Sequence, residues 1–146
     1  MMQDIQDLLD ERKRTMQDFS PDWRAINMYA IIREDLSMDA GKRASQIGHA
    51  FVDAYDAAKL ENPDIASLYK GSGHGTKVCM FAKNLNQLLK GYRECRALKI
   101  PCALIIDRKH VLPPHFNGDP IITAIGIGPA YKDVVAHITK LYRLIK

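Results

Sequence analysis

The chain has 146 residues, 47% of them apolar and 26% charged, a composition that suits a folded domain with one hydrophobic core and does not suit a disordered polypeptide. Its formal charge of +4 is unevenly spread: residues 1–35 carry five Lys/Arg against eight Asp/Glu, and residues 36–146 carry sixteen against nine. No apolar run approaches the roughly 20 residues that span a bilayer, and the acidic N-terminus lacks the apolar segment of a signal peptide, so no membrane partner and a cytoplasmic location are expected.

From Asp4 to Phe19 the residues Ile5, Leu8, Leu9, Met16 and Phe19 recur at helical spacing, with acids early and Arg12, Lys13 and Arg14 later, as the helix dipole favours. Residues 1–24 are therefore expected to form an N-terminal accessory helix, ended by Ser20-Pro21-Asp22, and residues 25–146 the main domain. Ala25 to Arg33 reads as a buried strand, and Arg33-Glu34-Asp35 as the point where the chain leaves the core. A helix is predicted from near Ala40 to about Leu60, with Ser37 or Asp39 as its cap. Asn62-Pro63 and the glycine-rich stretch Gly71 to Gly75 predict a loose connection to a strand over Lys77 to Ala82.

Asn84 and Gln87 have capping-box spacing ahead of a helix whose buried face is Leu85, Leu88, Leu89, Tyr92 and Cys95. After Pro101, the run Cys102 to Ile106 predicts a strand ending on Asp107. A loop through Pro113-Pro114 and Asn117-Gly118-Asp119-Pro120 leads to a strand over Ile121 to Ile125. Gly128-Pro129 then reads as the start of a last helix, with Val134, Val135, Ile138, Leu141 and Leu144 facing inward. Strands alternating with helices predict an α/β fold, a three-layer sandwich with a mixed, largely parallel sheet of about four strands flanked by helices.

Three cysteines without Cys-x-x-Cys spacing, and five histidines without ligand spacing, point to neither a disulfide framework nor a metal site. Gly71-Ser72-Gly73-His74-Gly75 lacks the Lys-Ser/Thr ending of a phosphate loop, and Pro129 removes an amide after Gly126-Ile127-Gly128. Two other features carry more. On the helix after Asp39, Lys42, Gln46, His49 and Asp53 share one stripe, with Ala44, Ile47, Phe51, Ala54, Tyr55 and Ala58 opposite. A polar stripe is usually a solvated face; here it is expected at the mouth of the sheet, where Asp107 also stands. Between Lys70 and Lys109 there are nine Lys/Arg against Glu94 and Asp107, and Lys90 and Arg93 share a helix on which they could track phosphates.

Met38, Gly41, Lys42, Ala44, Gln46 and His49 fall without a gap on the first motif of the type-2 peptidyl-tRNA hydrolase family, Met-Gly-Lys-Gly-Lys-(Ile/Val)-Ala-Ala-Gln-x-x-His. The segment from Thr76 to Asp107 resembles that family's strand, helix and strand, and Thr123 to Pro129 resembles its Thr-x-x-Ala-Ile-Gly-Pro turn. The resemblance covers Asn27 to Lys146 and implies hydrolysis of the ester between a peptide, or an N-blocked amino acid, and tRNA, a tRNA partner, and a homodimer. Such hydrolysis needs an activated water, a stabilised oxyanion and a protonated leaving hydroxyl, and no metal or cofactor.

By position the resemblance implies Lys42, Asp107 and Thr123 as catalytic residues: Asp107 to orient or deprotonate water, Lys42 to stabilise the oxyanion or hold the substrate end, and Thr123 to position water or substrate. His49 is added because imidazole ordinarily titrates near neutrality and could shuttle a proton. Gln46, Arg108, Lys109, His110, Lys90 and Arg93 are the candidates for substrate binding. The chain departs from the family pattern at several positions. Ala40 stands for a lysine, Arg108 to Leu112 stand for Ala-Gly-Arg-Thr-Gln, and Pro120-Ile121-Ile122-Thr123 stands for Gly-Thr-x-Thr. The alternative to an enzyme is therefore an inactive member of the same fold, binding RNA or a protein.

Overall fold

The computed structural model describes residues 2–15, 25–71, 75–108, 111–112 and 116–146. In chain order the elements are α1 (Met2–Thr15), β1 (Ile26–Arg33), α2 (Ala40–Glu61), α3 (Pro63–Gly71), β2 (Thr76–Ala82), α4 (Leu85–Ala97), β3 (Cys102–Asp107), β4 (Val111–Leu112), β5 (Phe116–Asn117), β6 (Ile121–Tyr131), α5 (Lys132–Thr139) and β7 (Arg143–Leu144). In β1, Met28, Ala30 and Ile32 pack among α2 and α3 residues, whereas Tyr29 and Ile31 pack with Leu88, Cys95, Val135 and Ile138 of α4 and α5. Because side chains alternate along a strand, one apolar run covers both faces of the sheet and demands a helical layer on each. The three-layer α/β expectation therefore holds.

The sheet itself corrects the sequence reading. Among the described residues it has five strands in the order β3-β6-β1-β2-β7, and β1 with β2 is the single parallel pair. The expected sheet had about four strands, largely parallel. The cause is β6, which enters between β3 and β1 and runs against both. A doubly buried strand is a continuous apolar run whichever way its neighbours point, so direction is invisible in it. The added strand, β7, pairs only through Met80↔Leu144 and Phe81↔Arg143, too few residues to show a period.

Three boundaries also move. Asn62-Pro63 starts α3 rather than a loose connection: Asn62 Oδ1 accepts from the Ile65 amide at 3.4 Å, proline fits the first helical turn, and Ile65, Ala66 and Tyr69 are buried. Gly128-Pro129 lies inside β6, and α5 begins later, at Lys132. Gly128 has φ +97° and a Cβ there would meet Asn27 O at 2.7 Å, so glycine is required where the strand shifts register beside β1. Consequently Val134 and Leu144 are exposed rather than inward-facing. α1 forms as expected over its described length, but Ile5, Leu8 and Leu9 are all exposed. Met16, Phe19 and the Ser20-Pro21-Asp22 break lie outside the described residues.

The packing of α2 on the sheet positions everything that follows. Its buried stripe is Gln46, Ala50, Ala54 and Ala58, so Gln46 belongs to the core side and Ala44, expected there, is exposed. The alanines let the helix lie against β6 so closely that a Cβ on Gly126 would stand 2.0 Å from Ala50 O. Asp39, one of the two expected caps, accepts from the Lys42 amide at 2.8 Å. On the other face, Asn84 Oδ1 accepts from Gln87 N at 2.9 Å, as expected at the start of α4, while Gln87 Oε1 accepts at 2.6 Å from Lys83 N, one residue ahead of the cap, instead of from Asn84 N.

Candidate active site

The first turn of α2 and the end of β3 meet at one ion pair. Lys42 Nζ lies 2.5 Å from Asp107 Oδ2, with the two side chains 12% and 14% exposed. Both groups are thus shielded on most sides, where charge interactions are stronger than in water, yet open enough to touch a ligand. The cap at Asp39 fixes where α2 begins and so where Lys42 projects.

One turn further along α2, Gln46 reaches the sheet. Thr123 is fully buried in β6 and its hydroxyl donates to Gln46 Oε1 at 2.5 Å. This bond uses the amide's acceptor and turns its NH₂ group the other way. Thr123 is also the extra residue of a β-bulge, since Ile105 pairs with Ala124 and Ile106 with Ile122. Bulges re-aim side chains, and this one delivers Thr123 to α2.

Arg33 braces that bulge, a role the sequence reading missed by treating Arg33-Glu34-Asp35 as a chain exit. Its guanidinium donates from Nη1 to Ile122 O at 3.0 Å, while Nε and Nη2 grip Asp35 Oδ1 and Oδ2 at 3.0 and 2.7 Å. The planar fork of arginine suits this double grip. The one available signal was the Arg-x-Asp spacing directly after a buried strand.

An open cleft of about 330 Å³ runs beside these residues, lined by Gln46, His49 and Asp53 from α2 and by Leu104, Ile105, Ile106 and Asp107 from β3. Lys42, Gln46, His49, Asp107 and Thr123 are thus gathered in one neighbourhood, with His49 exposed and Thr123 behind Gln46. Arg108 is exposed immediately after Asp107. Lys90 and Arg93 are exposed on α4, in the layer on the other face of the sheet, so they do not line this cleft. Lys109 and His110 lie outside the described residues. Among the described residues no group of three His, Cys, Asp or Glu side chains is arranged to hold a metal ion, and no helix is long and apolar enough to cross a membrane.

A second hollow, of about 220 Å³, is mainly apolar and is lined by Met28, Phe51, Val52, Tyr55 and Tyr69, with Asp56, Lys70 and Lys77 as its charged residues. It holds none of the residues gathered around Asp107. Burial raises the Tyr69 phenol, with Tyr55 adding to the effect, to about 12. Burial also lowers Lys77, helped by Lys70.

Comparison with known proteins gives the same family for the whole of this architecture after α1. The family model described as peptidyl-tRNA hydrolase PTH2 matches residues 26–145. A peptidyl-tRNA hydrolase of Methanocaldococcus jannaschii is 31% identical over 121 residues, covering 82% of this chain and 100% of that protein. One from Methanococcus vannielii is 33% identical over 116 residues, covering 79% and 95%. The mitochondrial peptidyl-tRNA hydrolase 2 of Bos taurus is 31% identical over 120 residues, covering 79% of this chain and 63% of that protein. A match of this extent, on a chain whose helix start and strand end converge in one cleft, places the protein in the peptidyl-tRNA hydrolase PTH2 family.

Proposed function

We propose that this protein hydrolyses the ester joining a peptide to the terminal ribose of tRNA, and that the reaction takes place at Lys42 and Asp107. The observation that carries this reading is the 2.5 Å contact between Lys42 and Asp107 at the end of an open cleft. Water attacks the ester carbonyl carbon with Asp107 orienting it and accepting its proton, and the carbonyl oxygen becomes an oxyanion. Lys42 Nζ and the amide nitrogen of Gln46 stabilise that charge, Gln46 being held in orientation by Thr123. Collapse breaks the bond to the ribose oxygen, which takes a proton, with His49 as the donor on the exposed side of the cleft.

In this reading Thr123 acts through Gln46 rather than on substrate, because it is fully buried. Arg108 meets the tRNA end beside Asp107. Lys90 and Arg93 serve tRNA phosphates away from the ester, since they lie across the sheet from it. Such contacts weaken as salt rises, whereas the chemical step at saturating substrate does not.

The test is release of the blocked amino acid from a defined N-acetylaminoacyl-tRNA, compared with Asp107→Asn and Lys42→Ala. Turnover that either substitution removes supports the proposal. Salt-sensitive binding without turnover would replace it with a non-catalytic RNA-binding module.

A further inference from the structure

We propose that the free edge of β3 is the binding site for the peptide portion of the substrate, taken up as an added strand running parallel to β3 towards Asp107. This rests on the hydrolase reading above. β3 pairs with β6 on one side and, among the described residues, no strand lies beyond it. The phase of its free groups follows from one bond: Gly128 N donates to Pro101 O at 2.8 Å, which makes Pro101 and Gly128 a bonded pair in the register that continues as Cys102↔Ile127 and Ala103↔Gly126. Bonded and non-bonded pairs alternate in an antiparallel ladder. Ala103 and Ile105 therefore spend their main-chain groups on β6, and Leu104 directs its own to the open edge; Cys102 has the same phase but is 4% exposed and lies outside the cleft.

That edge borders the cleft. Leu104, Ile105 and Ile106 line it together with Asp107, and His49 and Asp53 form its other wall. A strand laid there with its C-terminal carbonyl at Asp107 brings the ester to Lys42. An enzyme acting on peptides of any sequence needs to recognise what all of them share, and main-chain pairing at a sheet edge does this. At about 3.3 Å per residue, Leu104 lies opposite roughly the third peptide residue from the ester. Side chains of the peptide alternate to either side and are not selected.

The experiment compares kcat/KM for N-acetylaminoacyl-tRNA, hexapeptidyl-tRNA, and the same hexapeptidyl-tRNA with N-methylated amides at the second to fourth residues from the ester, which include the amide that a parallel ladder aims at the Leu104 carbonyl. A gain of about tenfold from the hexapeptide, largely lost on N-methylation and little altered by changing the peptide sequence, is expected for a few main-chain hydrogen bonds. Leu104→Pro provides an independent reading, because proline there removes the outward amide and spares the ladder to β6, and Leu104→Ala, which keeps the amide but loses the same packing against the α4 and α5 core, is its control. In the proline variant the ratio between long and short substrates falls towards one, with folding checked by circular dichroism.

Equal rates for short, long and N-methylated substrates overturn the inference while leaving the hydrolase standing. Sedimentation showing a dimer that Leu104→Pro dissociates also overturns it, since the edge would then belong to a second copy. Hydrolysis of none of the substrates removes both the hydrolase reading and this inference.

Discussion

Lys42 and Asp107 are 65 residues apart in the chain, and their charged atoms are 2.5 Å apart in the fold. Two separate devices produce this meeting. Asp39 caps α2 so that Lys42 falls in its first turn, and β3 ends where its carboxylate leaves the sheet. Asp107→Asn keeps the shape and removes the charge, and Lys42→Ala removes the cation. Each is expected to lower kcat by about 10²–10⁴-fold, and the double variant by little more than the worse single one, because the two act as a unit. Single-turnover hydrolysis of N-acetylaminoacyl-tRNA checks both.

Thr123→Val leaves the buried Oε1 of Gln46 without its donor, which is expected to cost about 1–3 kcal/mol in urea unfolding. Adding Gln46→Leu should recover part of that loss, since removing both partners leaves no orphaned polar group. Turnover falls in both variants, so stability and activity separate in the double one.

Arg33→Lys tests the brace on the bulge. Lysine keeps the charge but lacks the fork that grips Asp35 and Ile122 O together. The variant is expected to fold, to lose about 1–2 kcal/mol, and to show a lower kcat with an almost unchanged KM. An unchanged kcat would show that Thr123 holds its place without Arg33.

Gly126→Ala places a methyl group where Ala50 O already stands, 2.0 Å away. Backbone on both sides prevents an easy adjustment, so α2 has to move from the sheet. A loss of about 3 kcal/mol is expected in thermal or urea unfolding. Activity should drop with it, because Lys42 and Gln46 ride on the same helix.

Alkaline stability should report Tyr69. Its phenol, 1% exposed and donating to Thr76 O at 3.1 Å, is raised by burial from 10.0 to about 12. Above pH 10 the unfolded chain ionises this group while the native state still holds the proton. Stability from this source is therefore complete below about pH 10 and is lost as pH rises through about 12. Burial moves Tyr142 in the same direction. Urea midpoints should fall over that window, and fall less steeply in Tyr69→Phe.

Much of this domain could be read locally. The alternation of apolar runs with 3.6-residue patterns located β1, α2, β2, α4 and β3 to within a residue or two, because each is buried along a face that its own period reveals. Asp39, Asn84 and Gln87 were legible as caps for the same reason: capping is decided within four residues of sequence. Asn62-Pro63 reads as a loose connection because the same pair can end one helix or start another, and only the burial of Ile65, Ala66 and Tyr69 shows that it does both.

By itself, then, the sequence determined the layers, the helix that bears Lys42, Gln46 and His49, the strand that ends on Asp107, and, through its motif, the family. What only the tertiary structure decided is long-range. The insertion of β6 between β3 and β1, the bulge that turns Thr123 to Gln46, the grip of Arg33 on Ile122, and the separation of Lys90 and Arg93 from the cleft all depend on which strands become neighbours. Local periodicity records how a segment divides its own two faces. It carries no record of the partner on the far side of a hydrogen-bonded edge, and the site is assembled across such edges.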